Sequence, residues 1–196
     1  MASTFEPGQR GAFVLRAFTS GGPLQALVPL RPEGDGLEHS PVRGAWSAAA
    51  GTAAGCPNHR RYGYNPVYRL LVSHRTPLVA RLASGNASSH GGGHGGGRRP
   101  SLSLALFPAV ASGSAGAGLL HPRASPSAPL GSEAGPRAVS GRGVYGGGGC
   151  GVSLPAGLAL DPGTYLLVPS TFDPWDGNFL LSVYANPGAL AISQLQ

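Results

Sequence analysis

The chain has 196 residues, with 33 glycines, 19 prolines and 41% hydrophobic side chains. That length suits one domain, or one domain with a fragment, and a core is available only because the apolar residues are bunched between the glycines. The net charge is +6 and all 14 basic residues are arginine, of which only Arg60-Arg61 and Arg98-Arg99 are adjacent, so the clustered basic patch with stacking aromatics that nucleic-acid binding needs is missing.

No apolar run approaches the roughly 20 residues of a membrane helix, so no transmembrane segment is expected. Met1 to Arg10 carries Glu6 and no apolar stretch, unlike a secretory leader. The two cysteines, Cys56 and Cys150, make no disulfide scaffold and point to a reducing, cytoplasmic compartment.

In chain order, the first predicted strand is Asn65 to Ser73, with Pro66 near its start, where strands tolerate proline. Pro77 to Leu82 follows after a short turn. Ser101 to Val110 has period two, with Leu102, Leu104 and Leu106 on one face and Ser101, Ser103 and Ala105 on the other. Gly151 to Leu160 is a less regular region, interrupted by Pro155 and Gly157. Gly163 to Phe172 is launched by the turn signal Asp161-Pro162-Gly163. In Gly177 to Ala185, Phe179, Leu181 and Val183 alternate with Leu180, Ser182 and Tyr184. No window has a helical period with caps. Short strands between Gly and Pro turns predict an all-β fold, a sandwich or barrel. The stretches of about 84–100, containing His90 and His94 in HGGGH, and about 111–150 bury too little apolar surface to offset ordering entropy. They are expected to be long disordered loop insertions flanking the Ser101–Val110 strand, which a sandwich carries cheaply.

An internal repeat adds organisation. Ser3-Thr4-Phe5-Glu6-Pro7 matches Ser170-Thr171-Phe172-Asp173-Pro174, and Gly11-Ala12-Phe13 to Phe18 matches Gly177-Asn178-Phe179 to Tyr184. The unit is a β-hairpin with an acidic-Pro turn. Residues 1–25 are expected to be the last hairpin of a truncated preceding sandwich, 26–41 a linker, and 42–196 one complete sandwich with its insertions.

Tyr165 to Pro174, followed by Gly177-x-Phe179-x-Leu181-x-Val183-Tyr184 and preceded by Pro162-Gly163-x-Tyr165, closely resembles the end of the calpain-type β-sandwich, domain III of the calpain cysteine proteases. Gly44-Ala45-Trp46, Ala54-Gly55-Cys56-Pro57-Asn58 and Asn65-Pro66-x-Tyr68-x-Leu70 resemble its opening, in the right order. The resemblance implies an antiparallel, eight-stranded-type β-sandwich, Trp46 in the core on its first strand, and a protease core in cis as partner. Tandem copies suit a calpain branch with two such sandwiches. The catalytic motifs of the family's protease core are absent from this sequence. Its acidic calcium loop is also missing: Asp161, Asp173 and Asp176 cluster loosely, whereas Ca²⁺ takes six to eight oxygen ligands.

The remaining chemical signals are weak. Cys56 and His59 form Cys-x-x-His, but a nucleophile–base pair needs a third orienting group and an oxyanion site and a zinc site two more ligands; the resemblance implies that Cys56 belongs to a structural turn of the sandwich. Gly141-x-Gly143-x-x-Gly146 has neither the strand before it nor the helix after it that a dinucleotide site requires. The chain therefore has no catalytic residues, metal ligands or cofactor site to assign. Trp175, in a turn beside Asp173 and Asp176, is the best candidate for a partner contact. Arg60, Arg61 and Arg69 are candidates for a protein or anionic-lipid contact, within a run that continues to Arg75 and Arg81. The expected function is a non-catalytic β-sandwich module of a calpain-type, calcium-dependent cysteine endopeptidase. The alternative is a stand-alone adaptor or lipid-binding sandwich with no protease in its parent.

Overall fold

In a computed structural model of the chain, the structure describes residues 34–84, 100–109, 138–140, 145–146 and 151–195. The chain divides into units of Met1–Pro32 and Glu33–Gln196, and every described residue belongs to the second. The hairpin expected over 1–25 lies outside the described residues, as do His90, His94, Cys150 and most of both expected insertions.

Among the described residues the chain forms ten strands and no α-helix: β1 Glu38–Trp46, β2 Val67–Val72, β3 Thr76–Pro77, β4 Val79–Ser84, β5 Leu102–Pro108, β6 Val152–Ser153, β7 Ala159–Leu160, β8 Gly163–Thr171, β9 Gly177–Ala185 and β10 Leu190–Leu195. Sheet A has the order β1-β9-β4-β6 and sheet B the order β10-β2-β8-β5, with β3 and β7 as a separate two-stranded ribbon. All pairings are antiparallel. The all-β sandwich expected from the sequence is the observed fold.

The two sheets enclose a core that includes Trp46, Tyr68, Leu70, Leu82, Leu106, Leu167, Phe179, Leu181 and Val183. Trp46 ends β1, packs on Phe179 with ring centroids 4.5 Å apart, and donates its indole N–H to the Pro169 carbonyl at 3.1 Å. The bond joins the last residue of β1 in sheet A to β8 in sheet B, and it satisfies the one polar atom of a fully buried indole. Pro169 sits one ladder step beyond the Tyr68–Leu167 pair, a position that needs no N–H for β2.

The sheets differ in their outer faces. From Phe179 to Ala185, β9 alternates buried and half-buried residues, as expected of a sheet with one solvated side. β8 is buried at every position from Leu166 to Thr171, and β5 from Leu102 to Phe107. A second cluster accounts for this: Tyr62, Val67, Ala105, Phe107, Ala109, Leu166 and Val168 pack on the outer face of sheet B, with Ala138 and Leu195 against them. The Ser103 and Ala105 face of β5 is thus as dry as its leucine face, each at 1% exposure.

Several expectations need correction. Glu38–Pro41, assigned to a linker, belong to β1 and pair with Ala185 to Ser182 of β9; only the β9 partner reveals the strand, because its sequence carries Pro41 and Gly44. β10 was not anticipated either. The Gly151–Leu160 region splits into the two-residue β6 and β7 around Pro155 and Gly157. Gly151 has φ 73°, and a Cβ there would strike the Leu82 carbonyl oxygen. The expected 111–150 insertion is not loop throughout: Ser140 and Gly146 bridge Leu106 and Leu102 of β5.

Candidate functional site

One end of the sandwich is built by two loops, the 47–66 connection from β1 to β2 and the 172–176 turn between β8 and β9. The connection includes two short 3-10 turns, Pro57–His59 and Tyr62–Tyr64. Asn65, 2% exposed, ties it together by donating its side-chain amide to the Gly55 carbonyl at 2.8 Å and the Tyr62 carbonyl at 3.0 Å. The Cys56 N–H donates to the Phe172 carbonyl at 3.0 Å, and the Ala48 N–H donates to Asp176 Oδ2 at 2.8 Å. Gly55, with φ 71°, lets His59 and Pro174 close over it. His59 Nε2 stands 3.8 Å from Asp173 Oδ1, and Thr171 Oγ1 donates to the Asp173 carbonyl at 2.6 Å. The two loops therefore form one surface.

That surface gathers three of the four predicted contact residues. Arg60 and Arg61 are exposed, and Trp175 is half-buried, with its ring packed on the core. Arg60 caps the first 3-10 turn in the left-handed region at φ 57°, unusual for a residue with a side chain. The Arg61 guanidinium lies 5.2 Å from the centroid of the Tyr64 ring, a cation–π geometry. Tyr64 and Phe172 expose 44% and 45% of their surface, and both were missed as surface residues. Phe172 follows the last residue of β8, so unlike Phe179 it has no inward position to occupy. Its ring instead meets Tyr145 edge-on at 5.4 Å. The Tyr145 hydroxyl lies 3.4 Å from Ser170 Oγ, and burial raises its pKa.

Arg69 is not part of this surface. It lies within β2 opposite Leu166 and Ser193, and its buried Nε has no hydrogen-bond partner among the described residues. The basic run also disperses. Arg75 is at the opposite end, 3.8 Å from Asp161 with both side chains exposed, and Arg81 is on β4 opposite Ser182. Asp161 is thereby separated from Asp173 and Asp176, so the loose acidic trio of the sequence is split between the two ends. Tyr165 donates its hydroxyl to the Asp161 carbonyl at 3.0 Å, and its pKa is raised by burial and then by the Asp161 charge.

Cys56 is a free thiol and only 2% exposed, so a substrate carbonyl cannot reach its Sγ. It serves the turn. A shallow groove of about 360 Å³ opens near the opposite end, lined mainly by Leu71, Val72, Thr164, Ala189, Leu190 and Ala191. Among the described residues no ionisable side chain lines it. No helix of the described residues is long and apolar enough to cross a membrane.

No family model matches the chain. It is similar to the calpain-like protease palB/RIM13 of two strains of Cryptococcus neoformans var. neoformans serotype D, at 27% identity over 187 residues in each. The match takes in 95% of this chain and 19% of each relative. The chain thus spans about a fifth of the length of the curated relatives it matches.

Proposed function

We propose that the chain is a non-catalytic β-sandwich module, of the domain III type, in a calpain-like cysteine protease. Hydrolysis belongs to a protease core elsewhere in the longer protein. The observation that carries this reading is the similarity to calpain-like proteases along 95% of the chain, which runs through the sandwich itself. The burial of Cys56 supports it, because the Cys-x-x-His pair offers no accessible nucleophile. The free thiol suits a reducing, cytoplasmic setting.

In this reading the end bearing Arg60, Arg61, Tyr64, Phe172 and Trp175 docks the protease core or a protein partner. Aromatic and arginine side chains that are exposed yet held by a hydrogen-bonded loop frame have the composition of interface anchors. The test is binding of this chain to a separately produced protease core of its own parent, measured by calorimetry, beside a peptidase assay on the chain alone. Binding that Trp175→Ala weakens, with no hydrolysis by the chain alone, is the expected outcome. Hydrolysis by the chain alone would overturn the assignment. Binding unchanged by Trp175→Ala and by Arg61→Ala would place the contact elsewhere.

A second reading is favoured by the pairing of Arg60 and Arg61 with two exposed rings: this end contacts anionic lipid. Such binding is electrostatic and fades between low and physiological salt. Sedimentation with phosphatidylserine vesicles at two salt concentrations checks it, and no pelleting at low salt rules it out.

A further inference from the structure

Among the described residues the two four-stranded sheets have four edge strands, β1, β6, β10 and β5, and three of them are guarded. The Leu154 N–H donates to the Ala80 carbonyl. With the β4–β9 and β1–β9 registers, this fixes which residues of β1 turn their backbone groups outward: His39, Pro41, Arg43 and Ala45. Pro41 therefore falls where its missing N–H would have faced solvent, and Arg43 adds a charge; both discourage strand pairing. β6, the opposite edge of sheet A, is two residues long. The edge of β5 is occupied: Leu102 exchanges hydrogen bonds with Gly146 at 2.7 and 2.9 Å, and Leu106 N–H donates to Ser140 O at 2.9 Å.

β10 is different. The Ser73 N–H donates to the Ala189 carbonyl at 3.0 Å, so in the β10–β2 register Ala191, Ser193 and Leu195 face β2. Leu190, Ile192 and Gln194 then direct their N–H and C=O groups to the free edge. The strand Leu190-Ala191-Ile192-Ser193-Gln194-Leu195 contains no proline, no glycine and no ionisable side chain. Among the described residues no strand pairs with this edge. Native sandwiches seldom leave such a row bare.

We propose that β10 is a self-association edge, which pairs antiparallel with β10 of a second copy of this chain and joins the two B sheets. The register is self-complementary. With the two-fold axis at Ile192, the outward residues meet as Leu190 with Gln194, Ile192 with Ile192, and Gln194 with Leu190. These are all hydrogen-bonded pairs, each exchanging both N–H···O bonds. Moving the axis by one pair along the strand leaves an outward residue of each copy unmatched. Among the described residues no ionisable side chain lies on β10 to oppose the contact. Among the described residues the arginine in the neighbouring strand, Arg69, is one strand inward opposite Ser193, so the backbones of its two copies stand at least three strand spacings, roughly 14 Å, apart. That exceeds the Debye length of roughly 8 Å at physiological salt.

The experiment is sedimentation equilibrium of the full chain over a wide concentration range, for the parent and for Gln194→Pro. The Gln194 N–H serves only the outer edge and its side chain is exposed, so proline there leaves the β2 ladder intact. The expected result is a monomer–dimer equilibrium that Gln194→Pro weakens by roughly tenfold or more, through one lost donor per copy, with melting temperatures that agree when both chains are compared as dilute monomers, since dimerisation itself raises the melting point by mass action. A second measurement fixes the register. Ala191 and Ser193 are exposed and fall opposite each other across the axis, so in a Cys150→Ser background oxidising a mixture of Ala191→Cys and Ser193→Cys chains should give a cross-linked dimer that neither chain gives alone. A chain that stays monomeric at every concentration overturns the proposal. So does a dimer indifferent to Gln194→Pro, or cross-linking no greater in the mixture than in the separate chains. Binding of an extended foreign peptide at this edge by a strictly monomeric chain would assign it to another occupant.

Discussion

Sheet A and sheet B contain four strands each, yet they solve burial differently. Among the described residues sheet A is one-sided: Phe179, Leu181 and Val183 of β9 point into the core while Leu180, Ser182 and Tyr184 remain half-buried. Its outer face carries a stacked His39–Tyr184 pair at 4.4 Å. Sheet B is two-sided, with a main core within the sandwich and a second cluster around Phe107, Leu166 and Val168 on its outer face. A glycine-rich chain has few large apolar residues to spend. Concentrating them in β5, β2 and β8 gives sheet B cores on both faces and leaves sheet A the solvated side. The difference is breakable by substitution.

The largest effect is expected for Phe179→Ala. Phe179 is 3% exposed, packs on Trp46, and meets Tyr68 edge-on at 6.3 Å. Removing it should cost about 3–5 kcal/mol, a large share of the stability of any domain, read as a loss of cooperative melting or a large drop in denaturation midpoint. A midpoint close to the parent would show that this face is not the core. The comparison is sharpened by two leucines that are neighbours in type but not in setting. Leu166→Ala, on the outer face of sheet B at 1% exposure, should cost about 2–5 kcal/mol. Leu180→Ala, on the outer face of sheet A, should cost under about 1 kcal/mol. Equal midpoints in urea titration would erase the distinction between the sheets.

The same distinction governs what the sequence discloses. β9 is legible because its alternation survives into burial. β8 is legible because continuous apolar sequence with a turn signal before it suits a strand covered on both sides. For β5 the alternation locates the strand but does not disclose that both faces are dry, since Ser103 is 1% exposed in a setting built by partners far away in sequence. β1 and β10 carry the weakest local signals, with Pro41 and Gly44 in one and small or polar residues in the other. Both are edge strands whose extended form comes from pairing with β9 and β2, so pattern alone does not reveal them. Of the candidate site, the Arg60-Arg61 pair is readable as exposed and Trp175 as a turn residue, which the structure half-buries. Their convergence is not, because it rests on the Cys56–Phe172 and Ala48–Asp176 hydrogen bonds between loops more than a hundred residues apart. Arg69 was grouped with them by sequence proximity, and the strand carries it away.

The smallest expected effect lies where the two sheets meet. Tyr68 enters the core from β2 of sheet B and is 1% exposed. Its ring packs edge-on against Phe179 of sheet A, and its hydroxyl has no hydrogen-bond partner among the described residues. The hydroxyl fits because Gly44 of β1 has no side chain: a Cβ there would collide with the Tyr68 oxygen and the Phe179 ring. A buried hydroxyl without a partner costs free energy, so Tyr68→Phe should be neutral or stabilising by up to about 1 kcal/mol at neutral pH. Burial also pushes the Tyr68 pKa from 10.0 up to about 12. Because the folded chain then holds its proton more tightly than the unfolded chain, this group favours the unfolded state increasingly as pH rises from 10 to 12. The full contribution is present below pH 10, and about 2 kcal/mol of it is lost by pH 12. Phenylalanine has no proton to lose. The gap in midpoint between Tyr68→Phe and the parent should therefore widen through that window, measured by urea unfolding at stepped alkaline pH. A gap that stays constant would mean that the hydroxyl reaches solvent, and that the sheets do not close over it.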